Sequence, residues 1–119
     1  MNFQNLKERD ALPAKLKSYD DSKLISQFDH LVKTERKITF HILSHINEME
    51  RRRLPAQLGY PSTHMYLVKA HGYSEASAQR RIQSARLLRQ IPEVGESIVA
   101  GRLNMTQLSQ VQMMVRQKQ

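Results

Sequence analysis

Residues 62–90 read STHMYLVKAHGYSEASAQRRIQSARLLRQ and carry the signals of two helices joined by a tight turn. Ser62 and Ser74 can each accept a hydrogen bond from an amide in the first turn of a helix. Gly72 suits the left-handed conformation that often ends a helix. The stretch therefore predicts a short helix before Gly72 and a longer helix at about 75–90, which is the arrangement of a helix-turn-helix.

A longer helix is predicted upstream of this pair, over residues 22–53. Asp21 or Ser22 can cap its start. Pro55 ends it, because a proline disfavours helical geometry in the preceding residue, and 54–61 is a connector. Eight positions, six of them apolar, are spaced by alternating steps of four and three residues, a seam typical of a helix packed lengthwise on another. The seam consists of Leu24, Phe28, Leu31, Glu35, Ile38, Ile42, His45 and Met49.

The chain is predicted to be all-α, with a long N-terminal helix followed by a bundle of short helices. Residues 1–21 alternate charges and contain Pro13, so we interpret them as a mobile arm or a short unstable helix. Residues 22–119 form the helical domain. Asn104 and Gln107 are spaced as a capping box for its last helix. Caps, glycines and prolines place the short helices at about 62–71, 75–90, 93–100 and 105–117.

The net charge of +8 is confined to one part of the chain. Residues 1–21 hold four Lys/Arg and four Asp/Glu, and residues 22–50 again hold four of each. Residues 51–119 hold eleven basic and three acidic residues. Positive charge that is concentrated in one segment attracts polyanions, of which nucleic acid is the commonest. An acidic membrane surface or an acidic protein is the next candidate.

Composition excludes several classes of protein. There are no cysteines, so disulfides, thiolate chemistry and cysteine-ligated zinc fingers are ruled out. No window of about 18 apolar residues exists, and the N-terminus lacks the apolar region of a secretory signal. We therefore expect a cytoplasmic protein that does not bind a membrane. No cofactor is expected, because the four glycines are too separated to form a phosphate loop.

The predicted helix 75–90 is the first candidate for DNA contact. Ala78, Ile82 and Ala85 fall on one side, where they can pack on the preceding helix. Elsewhere on the helix, arginine can reach guanine edges or phosphates, and glutamine can pair with adenine. The alternative is an ordinary helical hairpin with a solvated basic face. The predicted DNA-binding residues on this helix are Gln79, Arg80, Arg81, Gln83 and Arg86.

Arg51, Arg52 and Arg53 form a basic run at the end of the long helix, and we add all three to the predicted DNA-binding residues. Arginines can hold phosphates, contacts that position a protein without reading sequence. Cationic side chains near a helix C-terminus also stabilise the helix, each by about 0.3–1 kcal/mol. Both roles are compatible with the run.

His41 and His45 are four residues apart on one helix face, and such a pair can ligate zinc. However, the glutamate that directly follows the first histidine of a metalloprotease helix is missing. His45 also falls on the apolar seam, where a packed imidazole is common. We therefore predict no metal site. No catalytic site is predicted either, because no nucleophile, base and orienting group can be assembled.

The N-terminal half of the seam predicts self-association. If the short helices leave Leu24, Phe28 and Leu31 uncovered, these residues form an exposed apolar patch, which a monomer seldom tolerates. Pairing of two such patches would give a homodimer with two basic helices at a fixed spacing. The alternative is that residues 1–21 or the last helix fold back over the patch.

Four spaced motifs carry a family resemblance: ERRRLPAQLGYPS at 50–62, HGYSEASAQRRIQSARL at 71–87, IPEV at 91–94 and GRLNMTQL at 101–108. In this order they resemble the N-terminal helical region of bacterial HNH endonucleases, over about residues 28–115. Ser84 stands where alanine is usual in that family. The most distinctive stretch is matched by Arg80, Arg81, Ile82, Ala85, Arg86 and Leu87.

The resemblance implies an accessory region that engages DNA or oligomerises. In that family an HNH nuclease module follows, and no His-Asn-His metal finger occurs before Gln119. We therefore expect a DNA-binding domain without nuclease activity, either regulatory or the targeting region of an HNH endonuclease-like protein, with double-stranded DNA as its partner. The alternative is a protein-interaction or dimerisation module with an acidic partner.

Overall fold

The computed structural model describes the backbone of residues 6–118 and the side chains of residues 10–116. Over these residues the chain is all-helical, as predicted, and has no strand. None of the described helices has the length and apolar character needed to cross a membrane. Two compact units are formed, Met1–Thr34 and Glu35–Gln119. The helices are α1 (Leu6–Lys17), α2 (Asp21–Arg51), α3 (Leu54–Gln57), α4 (Thr63–His71), α5 (Glu75–Gln90), α6 (Val94–Ala100) and α7 (Met105–Lys118).

The first unit contains α1 and the first part of α2. α1 forms within the segment predicted as a mobile arm or an unstable helix, and Pro13 in its interior lacks the amide hydrogen of a helical bond. Residues 1–5 of the predicted arm lie outside the described residues. α2 begins one residue earlier than predicted, because the Asp20 carboxylate accepts a hydrogen bond from the Lys23 amide at 2.7 Å.

α2 ends at Arg51, two residues earlier than predicted, and the residue that leaves helical geometry after it is Arg53 and not Leu54. Arg53 adopts φ = +57°, a left-handed conformation that costs an L-residue roughly 1–2 kcal/mol. Leu54 was predicted to be non-helical, and that prediction was wrong: it is the first residue of the one-turn helix α3. The following Pro55 sits in the first turn, where its missing amide hydrogen costs no helical bond.

The other helix boundaries follow the predicted caps. Ser62 and Ser74 accept hydrogen bonds from amides in the first turns of α4 and α5. Gly72 ends α4 with φ = +72°. Asn104 and Gln107 exchange two hydrogen bonds of 2.8 and 3.0 Å, and so form the predicted capping box of α7.

α5 is the central helix of the second unit, in contact with α4, α6 and α7. Its small residues Ala78, Ser84 and Ala85 have no exposed surface, so neighbouring helices approach closely. The Asn47 side chain of α2 donates a hydrogen bond to the Ala85 carbonyl at 2.8 Å. The Ser84 hydroxyl donates to the carbonyl of Met105 at 3.2 Å. The core consists of Leu43, Ile46, Leu67, Ala78, Ile82, Ala85, Leu87, Leu88, Ile98 and Leu108.

Candidate nucleic-acid interface

Part of the solvent-facing surface of α5 is a stripe along the helix, which we name the α5 stripe. It contains Glu75, Gln79, Arg86 and Gln90. Gln79 and Arg86 are seven residues apart and therefore lie within about 20° of each other around the helix. Gln79 is exposed, and the Arg86 side chain is 38% exposed. Two of the predicted DNA-binding residues thus share one accessible face.

The other predicted residues of α5 are placed differently. Gln83 is only 7% exposed, so its side chain has no access to a DNA groove in this conformation. The Arg81 guanidinium stacks on the Tyr73 ring, 4.4 Å from its centroid, and donates to the carbonyl and hydroxyl oxygens of Ser77. Arg81 therefore connects Tyr73, in the turn between α4 and α5, to the first turn of α5. Arg80 is partly buried, about 120° around the helix from Arg86.

A cleft of about 510 Å³, which we name the arginine cleft, lies between the end of α2 and the second half of α5. Glu50 holds two of its arginines in place: its carboxylate oxygens lie 3.7 Å from Arg86 Nη2 and 3.6 Å from Arg89 Nη1. The Thr63 hydroxyl also donates to Glu50, at 2.9 Å, which ties α4 to the same carboxylate. The cleft is lined by Ser44, Asn47, Glu48, Glu50, Arg51, Arg86 and Arg89.

Glu48 pairs with two arginines of the predicted basic run. Arg51 Nε donates to the Glu48 carboxylate at 3.0 Å, and Arg52 Nε donates to it at 2.7 Å. These hydrogen bonds lower the pKa of Glu48 from 4.5 to about 2, and the bond from Arg51 has the larger effect. The same pairing raises the pKa of Arg51. Because the pKa of the carboxyl is lowered, its contribution to folding stability is fully present at neutral pH and is lost as the pH falls from about 4.5 to about 2.

The structure thus brings Arg51 and Arg86 to one cleft, together with Arg89, which was not predicted. The three-residue spacing of Arg86 and Arg89 was the available signal, since it places both on one side of a helix. Arg53 is exposed at the left-handed break after α2. Glu50 was also missed, because its ion pairs join residues far apart in the sequence.

Two further features that the sequence singled out can be located, the histidine pair for which no metal site was predicted and the predicted dimerisation patch. His45 Nδ1 forms a hydrogen bond with the His41 carbonyl at 2.6 Å. In the described part of the chain, no three His, Asp or Glu side chains are grouped so as to hold a metal ion. The proposed dimerisation residues lie on α2 in the first unit, where Leu24, Phe28 and Leu31 are 42%, 67% and 48% exposed. The apolar patch expected from the seam is therefore present at the surface.

Comparison with known proteins identifies a family but no characterised relative. No curated protein matches the chain, and no solved structure matches it. A family model described as "Domain of unknown function (DUF222)" matches residues 26–118, a range that includes the α5 stripe and the arginine cleft. Because this match covers most of the sequence, the chain belongs to the DUF222 family.

Proposed function

We propose that this chain is a non-catalytic DNA-binding domain whose arginine cleft and α5 stripe contact the backbone of double-stranded DNA. The observation that carries the proposal is the meeting of Arg51, Arg86 and Arg89 at one cleft. All three belong to the segment 51–119, which holds the whole excess charge of +8. The motif resemblance to the helical region of HNH endonucleases supports the same role, as a regulatory or targeting region.

The geometry favours positioning on the duplex over sequence reading. Guanidinium groups form bidentate hydrogen bonds with phosphates, and such contacts fix orientation without reading bases. Gln79 and Gln90 are the exposed side chains on the α5 stripe that suit an adenine edge. With Gln83 buried, few side chains of α5 remain to read bases. We therefore expect modest sequence preference.

A salt series with a random-sequence duplex tests this proposal. Binding, followed by fluorescence anisotropy, should weaken steeply with salt because each neutralised phosphate contributes about −0.9 to the slope of log K against log salt. Three arginine contacts predict a slope of about −3 or steeper. Absence of binding at about 50 mM salt, where such contacts are strong, would contradict the proposal.

Replacing Glu48 with glutamine is expected to strengthen DNA binding several-fold. The carboxylate occupies Arg51 and Arg52, and its removal leaves both guanidinium groups free for phosphates. Folding stability should change little, because solvent screens exposed ion pairs and they contribute little to stability. Glu96→Gln is the matched control, since it removes the same charge from an exposed position on α6. Equal gains in both variants would show that only net charge matters.

We also propose that the chain forms a homodimer through the exposed patch of Leu24, Phe28 and Leu31 on α2. Phe28→Glu places a charge within the patch, so the variant should sediment as a monomer where the wild type is a dimer. Ser26→Glu adds the same charge on roughly the opposite face of α2 and should leave the dimer intact. A wild type that is monomeric at all micromolar concentrations would rule the dimer out.

A further inference from the structure

An apolar groove lies along α2 and α4 in the second unit, lined by none of the residues of the arginine cleft. Its volume is about 560 Å³. Ile38, Ile42, Ile46 and Met49 of α2 form one wall, and Tyr66 and Leu67 of α4 form part of the other. Ile38 is 46% exposed, so a large apolar side chain at one end of the groove remains in contact with water.

The groove is elongated. Its α2 wall runs from Ile38 to Met49, which at about 1.5 Å per residue is roughly 16 Å, or three helical turns. The wall residues recur every three or four positions, the spacing with which one helix packs against another. A trough of this length between two helices fits the apolar stripe of a third helix.

The polar side chains that line the groove are histidines and tyrosines. His41, His45 and His71 line it, and among its lining residues there is no carboxylate. The His71 Nε2 atom forms a hydrogen bond of 2.9 Å with the Tyr66 hydroxyl. At the end nearest Met49, a smaller cleft shares His45 and Met49 with the groove and is also lined by Arg52 and its ion-pair partner Glu48. Histidine and tyrosine side chains therefore border the apolar groove, and an arginine paired with Glu48 lies beyond its end.

Charge selects between the helices that could occupy this groove. Residues 35–119 carry thirteen Lys/Arg against six Asp/Glu, a net charge of +7. A second copy of this unit would bring like charges together, which disfavours association. A partner with carboxylates flanking its apolar stripe is attracted instead.

We propose that the groove binds an amphipathic helix of an acidic partner protein. An apolar stripe of about three turns would lie on Ile38, Ile42 and Met49, as in helix-in-groove recognition. Carboxylates beside the stripe would face the histidines and, at the end nearest Met49, would compete with Glu48 for Arg52. The proposal specifies a surface and a binding mode for the acidic partner that the charge distribution allows. It is independent of DNA binding at the arginine cleft.

Selection from a displayed library of helical peptides of about 18 residues, or five turns, tests the proposal on the full chain. We expect enrichment of acidic peptides with apolar residues at helical spacing, whose affinity falls at least tenfold for Ile38→Glu. Leu58→Glu, at an apolar residue that is 60% exposed and outside the groove, should bind them as the wild type does. Arg86→Ala should also bind them, which separates this site from DNA binding.

Isoleucine methyl resonances of the wild type give a second readout that needs no groove variant. A selected peptide should shift the signals of Ile38 and Ile42 and leave that of Ile91 unchanged. Enriched peptides that bind Ile38→Glu equally well, that are basic, or that fail to shift these signals would overturn the proposal, as would a library with no enrichment. Shifts caused by an oligothymidylate and not by the peptides would assign the groove to single-stranded nucleic acid and also overturn it.

Discussion

Replacing Leu87 with alanine is expected to lower the free energy of unfolding by about 2–5 kcal/mol. Leu87 has no exposed surface and belongs to the core, on the helix that contacts α4, α6 and α7. The cost of such a substitution combines the lost burial of the side chain with the cavity that remains. The residues around Leu87 are themselves packed against several helices and cannot move far into that cavity. We therefore expect a loss in the upper part of this range.

Urea denaturation at neutral pH measures the effect of Leu87→Ala directly. Leu58→Ala is the control, because it removes the same atoms from a side chain that is 60% exposed. Its expected cost is about 0.5 kcal/mol or less, as for most surface substitutions. A loss below about 1 kcal/mol for Leu87→Ala would contradict the central position of α5, since buried leucines cost at least twice that.

The triple variant Arg51→Ala, Arg86→Ala, Arg89→Ala is expected to weaken duplex binding by about a thousandfold. A hydrogen bond to a charged group contributes about 1.5–3 kcal/mol, and each 1.4 kcal/mol corresponds to about tenfold in affinity. Three lost phosphate contacts should also make the salt slope shallower by about 2.7. The measurement is the anisotropy titration repeated at several salt concentrations, with circular dichroism to verify that the variant remains helical.

A charge-matched control shows whether the cleft or the total charge is responsible. The variant Lys69→Ala, Arg102→Ala, Arg116→Ala removes three cations from exposed positions that do not line the arginine cleft. We expect it to bind DNA within about fivefold of the wild type, a difference of about 1 kcal/mol. Equal losses in the two triple variants would show that binding follows net charge and would remove the arginine cleft from the proposal.

The parts of the fold that were predictable are those decided by neighbours in the sequence. Ser74 caps α5 through an amide three residues away, and Asn104 and Gln107 cap α7 over the same distance. Gly72 ends α4 through its own backbone conformation. Because each of these signals acts within one helical turn, a single sequence suffices to identify it.

The environment of α5 was not predictable in the same way. Its polar sequence suggested one packed side and several solvated ones, yet Gln83 and Ser84 are buried. The Ser84 hydroxyl bonds the carbonyl of Met105, twenty-one residues further along the chain. Asn47 reaches the Ala85 carbonyl across thirty-eight residues. Contacts over such distances depend on how helices pack, about which local periodicity says little.

The candidate site was predictable only in part, for a related reason. The basic run at 51–53 and the arginines of α5 are visible in the sequence. What the sequence does not show is that Glu50, at the end of α2, pairs with Arg86 and Arg89 of α5. A glutamate that precedes an arginine run does not by itself indicate such a pairing, because the pairing exists only once α2 and α5 are packed.

The narrow α5 stripe makes tolerance to mutation very uneven along a single helix. Substitutions at Ala78, Ser84 or Ala85 would disturb the core, whereas the side chains of Glu75, Gln79 and Gln90 project from it. New partner preferences can therefore arise by changing a few positions on one edge while the scaffold stays the same. A library diversified at Glu75, Gln79, Gln90 and Arg86 would vary the binding surface and leave the core residues unchanged.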